Sequence, residues 1–233
     1  MKSQRWLACL AVVVLLGFAV LLHSQPQRLR VGILIYEGVY NTEFIAPLDV
    51  LNHAATHTGG RLEVFTVSPR LGSVTTAEDL RVLPRYSFST VPAIDWLIVP
   101  SGANYRTDME NETLVAWIRA TGRRAQVVHS NCWGAFLLGA AGLLDGKQAT
   151  TYPQSLDEFA QRFPDVHVRH DLQLVDHNGV VTSAGGVVSY DAALYLVEKH
   201  FGAQVARKVA TGLVIDWDAR RAGYRAAAVD SGS

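Results

Sequence analysis

From Arg28 onward the chain alternates short apolar runs with longer amphipathic segments, and no other feature restricts the fold as much. Apolar runs of about four to eight residues, bounded by Gly, Pro or Asn, suit strands buried on both faces. Leu29 to Tyr36, Leu62 to Val67, Trp96 to Val99 and Ala125 to His129 read this way. Between and after them, Phe44 to Thr58, Asn111 to Thr121, Gly134 to Leu144 and Gln154 to Phe163 have helical spacing. Gly59-Gly60 ends the first of these helices, and Pro153 suits the first position of the last. Val74 to Ser89 reads as short strands and loops. Leu172 to Val175 and Val180 to Thr182 flank Asp176-His177-Asn178-Gly179, a hairpin turn. A final helix, capped by Ser189 or Asp191, runs to His200. Strands alternating with helices imply an α/β fold: a doubly wound, mostly parallel sheet with helices on both faces. Ligands of such sheets bind at the carboxyl ends of the strands. The loops after Tyr36, Val99 and His129 are therefore the places to look for chemistry.

The 233 residues suffice for one domain, expected over residues 28–221, with an Ala/Gly/Ser-rich flexible tail at 222–233. The formal net charge is zero and no nucleic-acid-binding motif is present, so no nucleic-acid partner is expected. Residues 1–27 read as a signal peptide or an N-terminal membrane anchor. Lys2 and Arg5 precede the apolar run Leu7 to Leu22, and Gln25-Pro26-Gln27 breaks it. The run is slightly short of the roughly 20 residues of a comfortable span, and no Ala-x-Ala cleavage site follows it, so both alternatives stay open. Either places the domain outside the cytoplasm, exported or periplasmic, with membrane contact through that segment only. Cys9 lies inside the segment. The domain keeps one thiol, Cys132, and no internal disulfide.

Cys132 stands in Val127-Val128-His129-Ser130-Asn131-Cys132-Trp133-Gly134-Ala135, a strand, a sharp turn and a helix. This is the thiol counterpart of a nucleophile elbow, which needs a small residue shortly after the nucleophile and holds it at positive φ. The helix start also favours a thiolate, so an acidic cysteine is expected. A buried cysteine can equally be mere packing. Glu43 follows the first strand and enters a helix, where complementing the dipole is by itself sufficient reason for an acid. Yet first-strand and elbow-strand ends lie close together in this architecture, so Glu43 is expected within hydrogen-bond reach of the sulfur. A carboxyl beside a thiolate is pushed toward its protonated form and can donate a proton. Ser101-Gly102 ends the third strand; the Gly102 N–H, with that of Trp133, could hold an oxyanion.

Taken together these residues resemble the ThiJ/PfpI superfamily, with its class I glutamine amidotransferase-like fold. The resemblance runs from about Leu29 to Trp217. It rests on Val31-Gly32-Ile33-Leu34-Ile35-Tyr36 with Glu43 and Pro47, on Val99-Pro100-Ser101-Gly102, and on Asn131-Cys132-Trp133-Gly134-Ala135-Phe136. Ala141-Gly142-Leu143-Leu144-Asp145-Gly146, Ala149-Thr150-Thr151-Tyr152-Pro153 and Thr182-Ser183-Ala184-Gly185-Gly186 complete it. Its isonitrile hydratases and the sensor halves of its AraC-type regulators are the most similar branch. The resemblance implies Cys132 as nucleophile, Glu43 as acidic partner and Gly102 as oxyanion glycine. Protease-like members carry His where Trp133 stands, isonitrile hydratases Thr at the same place, and deglycase-like members His where Tyr152 stands. The amidotransferases' His-x-Glu is replaced by Ala184-Gly185-Gly186-Val187.

The resulting expectation is a cysteine-dependent hydratase or hydrolase for a small electrophile, with an acidic partner in place of a histidine base. Cys132 and Glu43 are the catalytic pair, Gly102 and Trp133 the backbone donors, and Ser101 and Tyr152 pocket residues. The alternative is a non-catalytic domain that binds a small molecule or senses redox state through Cys132. No cofactor and no metal site are expected, the partner is a small molecule, and a homodimer is left open.

Overall fold

The computed structural model describes residues 28–218. Strand β1 (Leu29–Leu34) leads through an extended loop into α1 (Asn41–His57), followed by β2 (Leu62–Ser68). Three two-residue strands come next, β3 (Val74–Thr75), β4 (Arg81–Val82) and β5 (Tyr86–Ser87). Then come β6 (Trp96–Val99), α2 (Tyr105–Asp108), α3 (Glu112–Gly122), β7 (Val127–Asn131) and α4 (Gly134–Ala140). After β8 (Gln148–Ala149), a 3-10 turn at Pro153–Ser155 opens α5 (Leu156–Arg162), and β9 (His167–Val168) follows. The chain closes with the hairpin β10 (Leu174–His177) and β11 (Val180–Ser183), then α6 (Val188–Phe201) and α7 (Ala203–Gly212).

Seven strands form the central sheet in the order β10-β11-β7-β6-β1-β2-β5. Only the β10–β11 pair is antiparallel. The order reverses at β1, which lies between β2 and β6, so the carboxyl ends of β1, β6, β7 and β11 open onto one crevice. The fold class is the doubly wound α/β sheet expected. Trp96, Phe65, Phe136 and Phe159 are the bulkiest fully buried side chains. Truncating one such aromatic costs about 3–5 kcal/mol.

Several element ends differ from the sequence expectation, each for a local reason. Helix α4 stops at Ala140 rather than Leu144, because Gly142 turns to φ 66° and a Schellman cap closes the helix. In that cap Leu143 N–H donates to Leu138 O and Gly142 N–H to Gly139 O. Neither Ser189 nor Asp191 caps α6, which begins at Val188. The first hairpin strand lies two residues later than expected, the second begins at Val180 as expected and runs one residue further, and Asn178 (φ 54°) and Gly179 (φ 85°) form the turn, as a type I′ turn requires. Helix α7 was not anticipated. Its buried face is Ala206, Val209 and Ala210, a correct helical spacing carried mostly by alanines. Among the described residues no helix is long and apolar enough to cross a membrane. The segment Leu7 to Leu22, the cut-or-anchor alternative and the tail at 222–233 lie outside the described residues.

Candidate active site

Cys132 sits between the end of β7 and the start of α4, with φ 54°, the elbow conformation expected of it. A non-glycine residue there costs about 1–3 kcal/mol and persists only where the surroundings hold it. The Cys132 N–H donates to Ser183 O at 2.9 Å, and the Thr151 hydroxyl donates to Cys132 O at 2.8 Å. Gly134 is required by the crossing of two backbones: a Cβ there would collide with the Val99 carbonyl. Gly185 (φ 81°) is required on the other side, since its Cβ would collide with that of Cys132.

Glu43 lies in the first turn of α1 and is only 4% exposed. Its Oε1 accepts from Gly186 N–H at 2.8 Å and its Oε2 from the Ser189 hydroxyl at 3.2 Å. The expected hydrogen bond from Glu43 to the sulfur is absent from the described residues: one carboxyl oxygen is engaged by Gly186 in the loop before α6 and the other by Ser189 in the first turn of that helix. The two groups still feel each other. Burial pushes the Glu43 carboxyl up to about 7, against the opposing pull of those two donors. Burial also pushes the Cys132 thiol up to about 12, with the Glu43 charge as the next cause. The acidic cysteine expected from the helix start is therefore overturned in the resting site. Helix α4 has only seven residues, and its favourable end cannot outweigh desolvation of the sulfur. The Trp133 N–H and the Ser101 hydroxyl beside the sulfur favour the thiolate, but less strongly. Ser101 Oγ is fully buried and makes no hydrogen bond of normal geometry.

A cavity of about 470 Å³ opens over the thiol. Glu43, Cys132, Trp133 and Tyr152 line it, as does the Gly185-Gly186-Val187 loop, while Ser101 and Gly102 do not. Gly102 is instead buried in a bridge with Val39 that joins the loops after β1 and β6. The Gly102–Trp133 oxyanion pair is thus not assembled facing the cavity. Trp133 is locked in place. Its ring stacks on Tyr105 at 4.5 Å between centroids, meets Tyr152 edge-on at 5.2 Å, and its Nε1–H donates to Ser155 Oγ at 2.8 Å. Tyr40 adds a third ring at 6.2 Å. Among the described residues no basic side chain lines the cavity. His129 is fully buried, its Nδ1 faces Val181 O at 3.2 Å, and burial lowers its pKa to about 4. Among the described residues no group of three or more metal-ligating side chains occurs.

Sequence reasoning missed the second wall of the site: Tyr40, Gln173, the Gly185-Gly186 N–H groups and Ser189. The run Ala184-Gly185-Gly186 carried the signal, since two successive glycines before a helix mark backbone that must come close to something.

The chain matches the DJ-1/PfpI family over residues 29–199. It belongs to that family. Within the DJ-1/PfpI family, isonitrile hydratase of Pseudomonas putida is 30% identical over 183 residues, covering 78% of this chain and 77% of the relative. The HTH-type transcriptional regulator GbdR of Pseudomonas aeruginosa is 26% identical over 165 residues, covering 71% of this chain but 44% of the regulator. The chain thus spans less than half of that regulator. Among solved structures, a ThiJ/PfpI family protein from Pseudomonas syringae superposes with a TM-score of 0.74 at 24% identity, over 82% of this chain and 76% of its own.

Proposed function

We propose that this chain is a hydratase or hydrolase for small, uncharged electrophiles, in which Cys132 and Glu43 share the proton that the reaction moves. The observation that carries this reading is a carboxyl whose proton affinity is raised to about 7 at the wall of the cavity that exposes the thiol. A buried acid that can hold or release a proton near neutral pH is suited to general acid–base work. The similarity to an isonitrile hydratase, across most of both chains, supports the choice of electrophile. For an isonitrile the steps balance simply. Protonated Glu43 gives its proton to the terminal carbon, and the sulfur adds to that carbon as the thiol proton passes to the carboxylate. Water then adds to the resulting thioimidate, the C–S bond breaks, and the thiol regains its proton. The net reaction is addition of one water to give an N-substituted formamide. The Trp133 N–H beside the sulfur stabilises negative charge there as the thiol gives up its proton. The rings of Tyr40, Trp133 and Tyr152 favour a flat or apolar substituent, and the absence of basic lining groups disfavours an anionic one.

The experiment is turnover of a panel of alkyl and aryl isonitriles, with formamide as the readout. Cys132→Ser should abolish it, Glu43→Gln should lower kcat by about 100-fold, and Tyr152→Phe should change it far less. Full activity in Cys132→Ala would end the cysteine mechanism. A second reading, a small-molecule-binding domain without turnover, draws on the similarity to regulators and on the high proton affinity of the resting thiol. Its mark would be a panel compound that raises the Tm without being consumed.

A further inference from the structure

We infer that Asn131 and Pro47 are positioning residues that together set the Glu43 carboxyl against Cys132. The inference rests on the proposed thiol–carboxyl pair. In an α-helix the carbonyl of residue 43 would accept the N–H of residue 47. Residue 47 is proline, inside α1, so the donor is missing, and its ring crowds the Glu43 carbonyl out of line. The vacant acceptor is taken by a side chain from another element: Asn131 Nδ2 donates to Glu43 O at 2.9 Å. A carbonyl can only accept, so this bond also fixes which end of the Asn131 amide is which. The Asn131 Oδ1 accepts from the Ser183 hydroxyl at 2.7 Å.

Asn131 is fully buried and is the residue immediately before the nucleophile. Its one carboxamide therefore ties together the three segments that build the site: the start of α1, the elbow, and the end of β11. The ring of contacts closes through the acid itself, because the chain leaving Ser183 reaches Gly186, whose N–H holds Glu43 Oε1. A proline mid-helix and a buried asparagine each look unfavourable alone. Four residues after Glu43 the proline leaves a carbonyl without its helical donor, and one residue before Cys132 the asparagine supplies that donor.

The test is the pH dependence of Cys132 alkylation by iodoacetamide in the full chain, followed by mass spectrometry. Where a thiol and a carboxyl share a proton, log rate rises with pH until the carboxyl ionises and then flattens. The wild-type break is expected near pH 7, where Glu43 titrates. Asn131→Ala should move it down by about one pH unit, a tenfold loss of proton affinity as the carboxyl escapes toward solvent. Ser183→Ala, which frees only one end of the amide, should move it less in the same direction. Pro47→Ala restores a helical N–H that competes for the Glu43 carbonyl. It should shift the break down while raising the Tm, a combination that mere structural damage does not produce. A break at the wild-type pH in both Asn131→Ala and Pro47→Ala overturns the inference. If Asn131→Ala does not fold, Ser183→Ala and Pro47→Ala decide it by the same criterion. Glu43→Gln is the control that separates the two levels. It must abolish the break, and if the break survives there, the thiol–carboxyl reading falls and takes this inference with it.

Discussion

Two buried carboxylates are held by opposite ends of α6, and their partners differ in one respect. Asp176, on β10, is 5% exposed and accepts from Gly179 N–H at 3.2 Å, from the Tyr195 hydroxyl at 2.7 Å and from the Lys199 ammonium. Glu43, on α1, is 4% exposed and accepts from a backbone N–H and a serine hydroxyl. Burial is alike and the number of donors is similar, but only Asp176 has a cation. A buried carboxylate with a cation is a staple: its charge is compensated and α6 is pinned to the hairpin. Without one, a carboxylate pays for its charge and takes up a proton easily. The cavity and the thiol lie beside the uncompensated acid, which is why we read that end of the helix as the chemical one.

The comparison can be broken most forcefully at Lys199. Replacing it with methionine leaves Asp176 buried without its cation and should cost about 2–3 kcal/mol, less than for a fully buried pair because Lys199 is partly exposed. The same change should leave the alkylation profile of Cys132 where it was. Urea denaturation and iodoacetamide kinetics on one protein sample check both halves; a shifted thiol profile would mean that the two carboxylates are not independent.

A smaller effect of opposite sign is expected at Glu43. Its folded pKa of about 7 lies above the ordinary glutamate value of 4.5. The folded state therefore binds this proton more tightly than the unfolded chain does. The associated stability is complete below pH 4.5 and is lost as pH rises to about 7. Glu43→Gln removes the charge and keeps one acceptor, so it should be about 1–2 kcal/mol more stable than wild type at pH 8 and nearly equal to it at pH 4.5. Denaturation curves at the two pH values check this, and a variant less stable at pH 8 would make Glu43 a staple like Asp176.

Much of this contrast was invisible in the sequence, for physical reasons. The strand-helix alternation, the elbow at Cys132 and the positive φ there were legible, because apolar period, Gly134 and strand order all act locally or through simple topology. Glu43 was legible as an acid near the thiol for the same reason. Its partners were not. Gly186 and Ser189 are more than 140 residues away in sequence, and nothing in a local pattern says which donor a buried oxygen will find. The acidity of Cys132 was misjudged because a helix start is visible in sequence whereas burial of the sulfur is not. Gly102 was placed by analogy of position, but its bridge to Val39 keeps it out of the cavity.

The central claim is that Glu43 is a proton store for Cys132, and it can be read directly from the carboxyl group. Infrared difference spectra of wild type against Glu43→Gln, recorded from pH 4 to 10, follow the protonated carboxyl band of that one side chain. We predict a midpoint near pH 7, moving to a new value in Cys132→Ala, where the thiol no longer competes for the proton. A midpoint in the ordinary carboxylate range, unmoved by loss of the thiol, would contradict the account.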